Sequence, residues 1–388
     1  MSASRIPPKP PTIEEQLQRA GVSRRHFINF CGKLMVVAPF GLAITSKLSP
    51  DAVAATVGKA RRPSVIWLEM QDCAGCTETL LRTSQPDLGT LILNMISLDY
   101  HETIMAAAGH DAEAALRDAM AQNDGKYVLV VEGSIPTKDN GAYLKIAGKN
   151  GMDMLKEVAN HAAAVVAIGS CSSWGGMPSS SINPTGAVGV DAIVKNKPVI
   201  NIPGCPPNPY VFLGTVLEYA TMGKVPKLDA LGRPLFAYDR TIHDHCPRRA
   251  HYDAGNFAQT IGDEGHRKGW CLFKLGCKGP LTHAPCSTRN FNEVVDCWPI
   301  GIGAPCAGCT EKGVGYTMPL FQMVEPEPST RPILASEVPE AKGFEGGVNT
   351  VIAGGVGVAG GLLTALGIAA ARKGGGGDEQ SSNTESKD

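Results

Sequence analysis

The stretch Ser64-Val65-Ile66-Trp67-Leu68-Glu69, with Cys73-Ala74-Gly75-Cys76 close behind it, decides how this chain is read. An apolar run of that length, rich in β-branched and aromatic residues and bounded by polar sequence, predicts a strand buried on both faces. Four more such runs follow at 91–98, 126–132, 163–168 and 198–202, and helical periodicity occupies 112–122 and 152–161. Short buried strands alternating with helices predict an α/β fold built on a doubly wound parallel sheet. In such sheets ligands bind outside the carboxyl ends of the strands. Cys73 and Cys76 follow the first predicted strand, Cys171 the fourth and Cys205 the fifth, so thiols far apart in sequence are brought to one sheet edge.

After about residue 232 the pattern dissolves into short segments rich in Gly, Pro, His and Cys, which carry His243, Cys246, Cys271, Cys277, Cys286, Cys297, Cys306 and Cys309. A segment so poor in regular periodicity folds most readily around bound metal, whose binding free energy becomes folding free energy. The whole chain has 388 residues, with 36 Lys plus Arg against 37 Asp plus Glu and a net charge of -1. That balance argues against a nucleic-acid binder, which needs a basic excess to neutralise phosphates. The 45 Gly and 28 Pro imply abundant loops. A chain this long needs no covalent staples for stability, so its 12 cysteines call for a chemical explanation.

The two ends read as addresses. Residues 1–54 begin polar and Pro-rich, reach Ser23-Arg24-Arg25-His26-Phe27-Ile28, continue through an uncharged apolar stretch at 34–46 and end on Ala52-Val53-Ala54. Paired arginines, an apolar run and a small-residue cleavage site occur in the order of a twin-arginine export signal. At the other end, 326–345 is a linker rich in Pro and Glu, and 346–371 is an uncharged run. That run is long enough for a transmembrane helix across a hydrocarbon core about 30 Å thick. Gly357 and Gly361 give it a small-residue face for another membrane helix. Arg372 and Lys373 open the polar tail 372–388 and, by the positive-inside rule, keep it cytoplasmic with the body of the chain outside.

Three chemistries compete for the thiols: disulfides, structural zinc and iron-sulfur clusters. Export favours disulfides, yet Cys31 leaves with the signal, and 12 minus one is an odd number. Thr77 and Thr310 stand where covalent haem attachment requires His. The two Cys-x-x-Cys pairs could each begin a zinc site, but the remaining ligands do not return as close pairs. Residue types alone leave iron-sulfur clusters level with disulfides and zinc together.

The order of the motifs carries further. Cys73-x-x-Cys76, Gly169-Ser170-Cys171, Pro203-Gly204-Cys205-Pro206-Pro207, His243-x-x-Cys246, Cys271, Cys277, Cys286, and Trp298-Pro299 ahead of Pro305-Cys306-x-Gly308-Cys309 succeed one another within residues 63–325. This ordered set resembles the small subunit of periplasmic, membrane-bound NiFe hydrogenases, whose export signal and C-terminal anchor the two ends also match. The resemblance implies a flavodoxin-like domain over 63–231 and an irregular iron-sulfur cluster-binding domain over 232–325. It implies a proximal 4Fe-4S cluster on Cys73, Cys76, Cys171 and Cys205, a medial 3Fe-4S cluster on Cys286, Cys306 and Cys309, and a distal 4Fe-4S cluster on His243, Cys246, Cys271 and Cys277. A neutral imidazole in place of one thiolate removes a negative charge and raises that cluster's potential, which suits an electron exit; His245 is the competing histidine.

The implied activity is a relay. Electrons from H2 oxidation at the Ni-Fe centre of a separate large subunit pass through the three clusters. They leave to a membrane cytochrome b, or to a ferredoxin-like protein with an integral membrane subunit, and so to the quinone pool. No catalytic residue is expected on this chain, and its place is the periplasmic side of the cell membrane. The alternatives are an iron-sulfur subunit of another quinone-linked oxidoreductase and a non-enzymatic exported protein held by disulfides or zinc. Gly75 stands where oxygen-tolerant relatives carry an extra cysteine, and Ser179 to Ser181 offer no thiol near the other supernumerary position. An ordinary four-cysteine proximal cluster and oxygen sensitivity are therefore expected. Cys297 is left over, as a buried spectator or else a fourth medial ligand. Glu69 and Glu78 flank the proximal motif as candidates to tune it or contact a partner, and Glu132-Gly133-Ser134-Ile135-Pro136 is expected to shape the same edge.

Overall fold

In the computed structural model, β1 (Ser64–Glu69) is buried along its whole length. It pairs in parallel with β2 (Ser97–His101) on one side and β3 (Val128–Glu132) on the other, and β4 (Ala164–Ile168) and β5 (Val199–Ile202) extend the sheet. The resulting order β2-β1-β3-β4-β5 is the flavodoxin-like one, with its switch point between β1 and β3. The structure describes residues 12–19, 21–23, 25–29, 31, 51, 55, 58–84, 87–290 and 297–324.

Alternate residues of each strand serve opposite faces. Val65, Trp67, Val130 and Ile168 enter one core, and Ile66, Leu68, Val131 and Ala167 enter the other. Six helices matter for the argument: α1 (Ile13–Arg19), α2 (Gly75–Leu81), α3 (His110–Gln122), α4 (Gly151–His161), α5 (Gly169–Trp174) and α6 (Pro209–Met222). Leu116 of α3 and Met154, Leu155 and Val158 of α4 close the second core, while Tyr210 to Leu213 of α6 close the first. The expected run at 91–98 is corrected: Leu91–Met95 is a π-helical turn and the strand begins at Ser97. Asp87 caps the preceding turn by accepting the Thr90 amide at 3.0 Å, and Leu91, Asn94 and Met95 are buried at helical spacing.

α1 is the second difference. The sequence treats 1–54 as separate from the fold, yet Ile13, Leu17, Phe27 and Cys31 are buried in the first core with Leu91 and Met95. The Ile13 amide donates to the Ala60 carbonyl at 2.9 Å, and Thr12 forms a β-bridge with Arg61. The linker 326–345, the span 346–371 and the tail 372–388 lie outside the described residues. Among the described residues no helix is long and apolar enough to cross a membrane.

From Leu235 to Arg289 the helices are turns of three to five residues. The small core there contains Ile242, Leu272, Trp298 and Ile300 together with Cys277 and Cys306, and Cys246 and Cys286 pack against it. Buried Arg233 ties this part to the first: its Nε meets Asp229 at 2.7 Å, and its Nη1 meets Glu311 at 2.8 Å and the Thr310 carbonyl at 3.1 Å.

Candidate metal centres

Cys73, Cys76, Cys171 and Cys205 meet where β1, β4 and β5 end. Ala74 takes the left-handed conformation, φ 55°, which turns the chain from Cys73 into α2 and sets Cys76 in its first turn. Gly169, φ 88°, makes the equivalent step from β4 into α5, which carries Cys171. A Cβ on Gly169 would lie 2.5 Å from Cys76 Sγ, and one on Gly176 would lie 2.7 Å from Cys171 Sγ, so both thiols sit in cradles that only glycine leaves open. Burial pushes the Cys76 thiol well up, and Glu132, Cys171, Cys205 and Cys73 add to the shift. Burial likewise pushes Cys171 up to about 11, with Cys205 and Cys73 contributing. A cation bound among these crowded thiols would draw them to the thiolate form.

Behind them lies a polar network that the sequence only outlined. Glu132 Oε1 accepts the Cys76 amide at 2.9 Å, and its Oε2 accepts the Thr77 amide at 3.1 Å, the Thr77 hydroxyl at 2.7 Å and Trp67 Nε1 at 3.2 Å. Burial pushes the Glu132 carboxyl up, and the bonds from Thr77, Cys76 and Trp67 offset part of that shift. Glu69 meets the hydroxyls of Thr77 and Thr103. Glu78 is exposed and pairs with Arg82 at 2.7 Å.

The second group lines a narrow cavity: His243, Cys246, Cys271 and Cys277, with Tyr252 edge-on to the imidazole at 4.4 Å. His243 is buried and its Nε2 has no hydrogen-bond partner, an orphaned lone pair of the kind a metal would satisfy. Burial holds His243 down at about 4, which keeps the ring neutral. His245 instead contacts Arg240 Nη1 at 2.8 Å and lines a different cavity. The third group, Cys286, Cys306 and Cys309, lines a cavity of about 90 Å³ with Trp298 and Pro299. Cys297 is not among the lining residues and is half-buried rather than buried.

The three groups touch in sequence. The Cys306 amide donates to Cys277 Sγ at 3.4 Å, and the Lys278 amide donates to the Cys306 carbonyl at 2.9 Å, joining the second group to the third. The Ser170 hydroxyl donates to the Cys309 carbonyl at 2.7 Å, and Cys205 adds to the upward shift of Cys309, joining the third group to the first. The eleven ligand candidates thus lie in one connected region, with Cys205 shared between the first group and the wall of the third cavity. None of the twelve cysteines is in a disulfide. The residues within 4.8 Å of one another that could hold a single ion are Glu69, Asp72 and Glu132, with no cysteine set among the described residues so tight. Tyr316, whose hydroxyl bonds Cys205, carried no sequence signal.

Comparison with known proteins identifies the family. Residues 73–219 match the family model of the NADH ubiquinone oxidoreductase 20 kDa subunit, and residues 238–322 match that of the C-terminal region of the NiFe/NiFeSe hydrogenase small subunit. The Hydrogenase-2 small chain of Escherichia coli K12 is 48% identical over 343 residues, covering 88% of this chain and 90% of that one. The periplasmic NiFe hydrogenase small subunit 1 of Nitratidesulfovibrio vulgaris is 47% identical over 300 residues, covering 77% and 92%. The solved NiFeSe hydrogenase of Desulfomicrobium baculatum superposes with a TM-score of 0.60 at 34% identity, covering 65% of this chain and 95% of that one. The chain thus belongs to the family of NiFe hydrogenase small subunits, the electron-transfer partners of hydrogenase.

Proposed function

We propose that this chain relays electrons between a hydrogenase large subunit and a membrane acceptor through three iron-sulfur sites. The observation that carries the reading is the unbroken contact from Cys205 and Ser170 to Cys309, and from Cys306 to Cys277. Iron-sulfur clusters at the three sites supply one-electron carriers whose potentials follow ligand charge, hydrogen bonding and burial. Cys73, Cys76, Cys171 and Cys205 would hold a proximal 4Fe-4S group. Cys286, Cys306 and Cys309 would hold a medial 3Fe-4S group, with Pro299 on the wall beside them. His243, Cys246, Cys271 and Cys277 would hold a distal 4Fe-4S group. Cys73 and Cys205 are exposed, so the proximal site opens to the surface where a large subunit bearing the Ni-Fe centre would dock. The remaining ligand thiols are buried or half-buried, which limits water at the relay.

The same reading places the chain on the periplasmic side of the cell membrane. Export would follow the twin-arginine motif Arg24-Arg25, and residues 346–371 would form the anchor beside a cytochrome b or a ferredoxin-like and integral membrane pair that feeds quinone. The test is co-purification from membranes followed by H2-dependent dye reduction. The full chain is expected in the membrane fraction with a large subunit and activity. A chain ending at residue 345 is expected to keep dye reduction and lose the membrane. Recovery of the full chain alone, colourless and without H2-dependent reduction, would refute the reading.

A further inference from the structure

We propose that Glu132 is the positioning residue of the proximal centre, fixing the backbone at Cys76 and setting the potential of the group the four thiols hold. The inference rests on the proximal assignment above. The first amides of a helix have no intrahelical acceptor. In α2 the residue at the cap is Ala74, whose methyl group offers them none. Glu132 takes that role from the end of β3, on the neighbouring strand of the sheet. Its Oε1 accepts the Cys76 amide, and its Oε2 accepts the Thr77 amide and hydroxyl. Trp67 Nε1, from within β1, adds a fourth donor.

The two backbone amides and the indole can only donate to Glu132, while the Thr77 hydroxyl also lies 3.1 Å from His101 Nε2. Glu132 is 1% exposed, so a charge carried there is screened by protein rather than water. Two consequences point the same way. A fixed negative charge beside the thiols opposes the added electron and lowers the potential. Holding the Cys76 amide also keeps it from turning to sulfur, where a hydrogen bond would raise the potential. Gln at this position offers one acceptor oxygen and turns an NH2 toward a donor, so it loses one side of the clamp. Glu78, on the same helix, has a side chain 55% exposed and is neutralised by Arg82, which makes it the matched control.

The experiment is a redox titration of the purified heterodimer followed by electron paramagnetic resonance, in unmodified, Glu132→Gln, Glu132→Asp and Glu78→Gln forms. Glu132→Gln is expected to raise the reduced-to-oxidised ratio of the proximal signal about tenfold at fixed potential, or about 59 mV for a one-electron step. Medial and distal signals should not move. Glu132→Asp keeps the charge and should recover more than half of the shift, and Glu78→Gln should produce less than a third of it. Loss of the proximal signal in Glu132→Gln with retention in Glu132→Asp also supports the role. An unmoved proximal signal, an equal shift in Glu78→Gln, or loss of the whole fold in both Glu132 variants overturns it. Absence of any iron-sulfur signal in the unmodified heterodimer would instead defeat the proximal assignment itself.

Discussion

His243 and His245 lie two residues apart, and burial separates their chemistry. The neutral ring of His243, with Nε2 unpartnered, fits the proposed ligand role, whereas His245 is held by Arg240 and lines a different cavity. Substituting His243→Cys adds a negative charge to the distal site and should lower its potential without moving the proximal one. His245→Ala should leave both in place. A redox titration of the two variants checks this, and a rise in the distal potential of His243→Cys counts against the assignment. Glu218 makes a pH prediction. Burial pushes its carboxyl up to about 7, above the roughly 4.3 of an unfolded Glu. The folded state therefore keeps a proton that the unfolded state has lost, so the stability is present at low pH, falls as pH rises above about 4.3 and is gone once pH has passed through 7. Glu218→Gln should stabilise the protein by roughly 1–3 kcal/mol at pH 8 and by almost nothing at pH 4, read from unfolding midpoints.

At the scale of elements, β1 was legible because both of its faces are buried and its residues are apolar throughout. The run at 91–98 was not, because an apolar stretch of that length satisfies a strand and a helical turn equally. Burial of Leu91, Asn94 and Met95 at helical spacing, and the Asp87 cap, settle it only in three dimensions. α6 was missed for the opposite reason: Pro209 to Glu218 are all buried, so no amphipathic period marks it. The ligand motifs were legible because chemistry constrains their spacing. The clamp by Glu132 joins residues 56 positions apart and leaves no local trace. α1 carries its own prediction. Leu17→Asp places a charge in the first core beside Leu91 and should destabilise the unprocessed chain by about 2–4 kcal/mol. A chain beginning at residue 55 has no such residue, so its unfolding midpoint supplies the comparison. Equal midpoints for the unprocessed chain and its Leu17→Asp variant would show that α1 does not rest on the domain.

Across the molecule, the sheet would supply the edge of the proposed proximal site, and the irregular segment, whose core includes Cys277 and Cys306, the two further sites. Arg233 couples the two parts, and removing Glu311 leaves a buried guanidinium with Asp229 and the Thr310 carbonyl but one carboxylate fewer. Glu311→Ala should therefore cost about 3 kcal/mol in denaturant unfolding. A loss below about 0.5 kcal/mol would mean that the junction contributes little. On the proposed reading, ten of the 12 cysteines and the loops rich in Gly and Pro serve one purpose, in which short turns would wrap three linked metal sites. The most direct test of that design is iron and acid-labile sulfide analysis of the purified heterodimer, with electron paramagnetic resonance of the oxidised and reduced protein. The account predicts two four-iron centres and one three-iron centre, the latter signalling when oxidised. Zinc in place of iron, paired thiols, or no three-iron signal beside a fourth medial thiolate from Cys297 would contradict it.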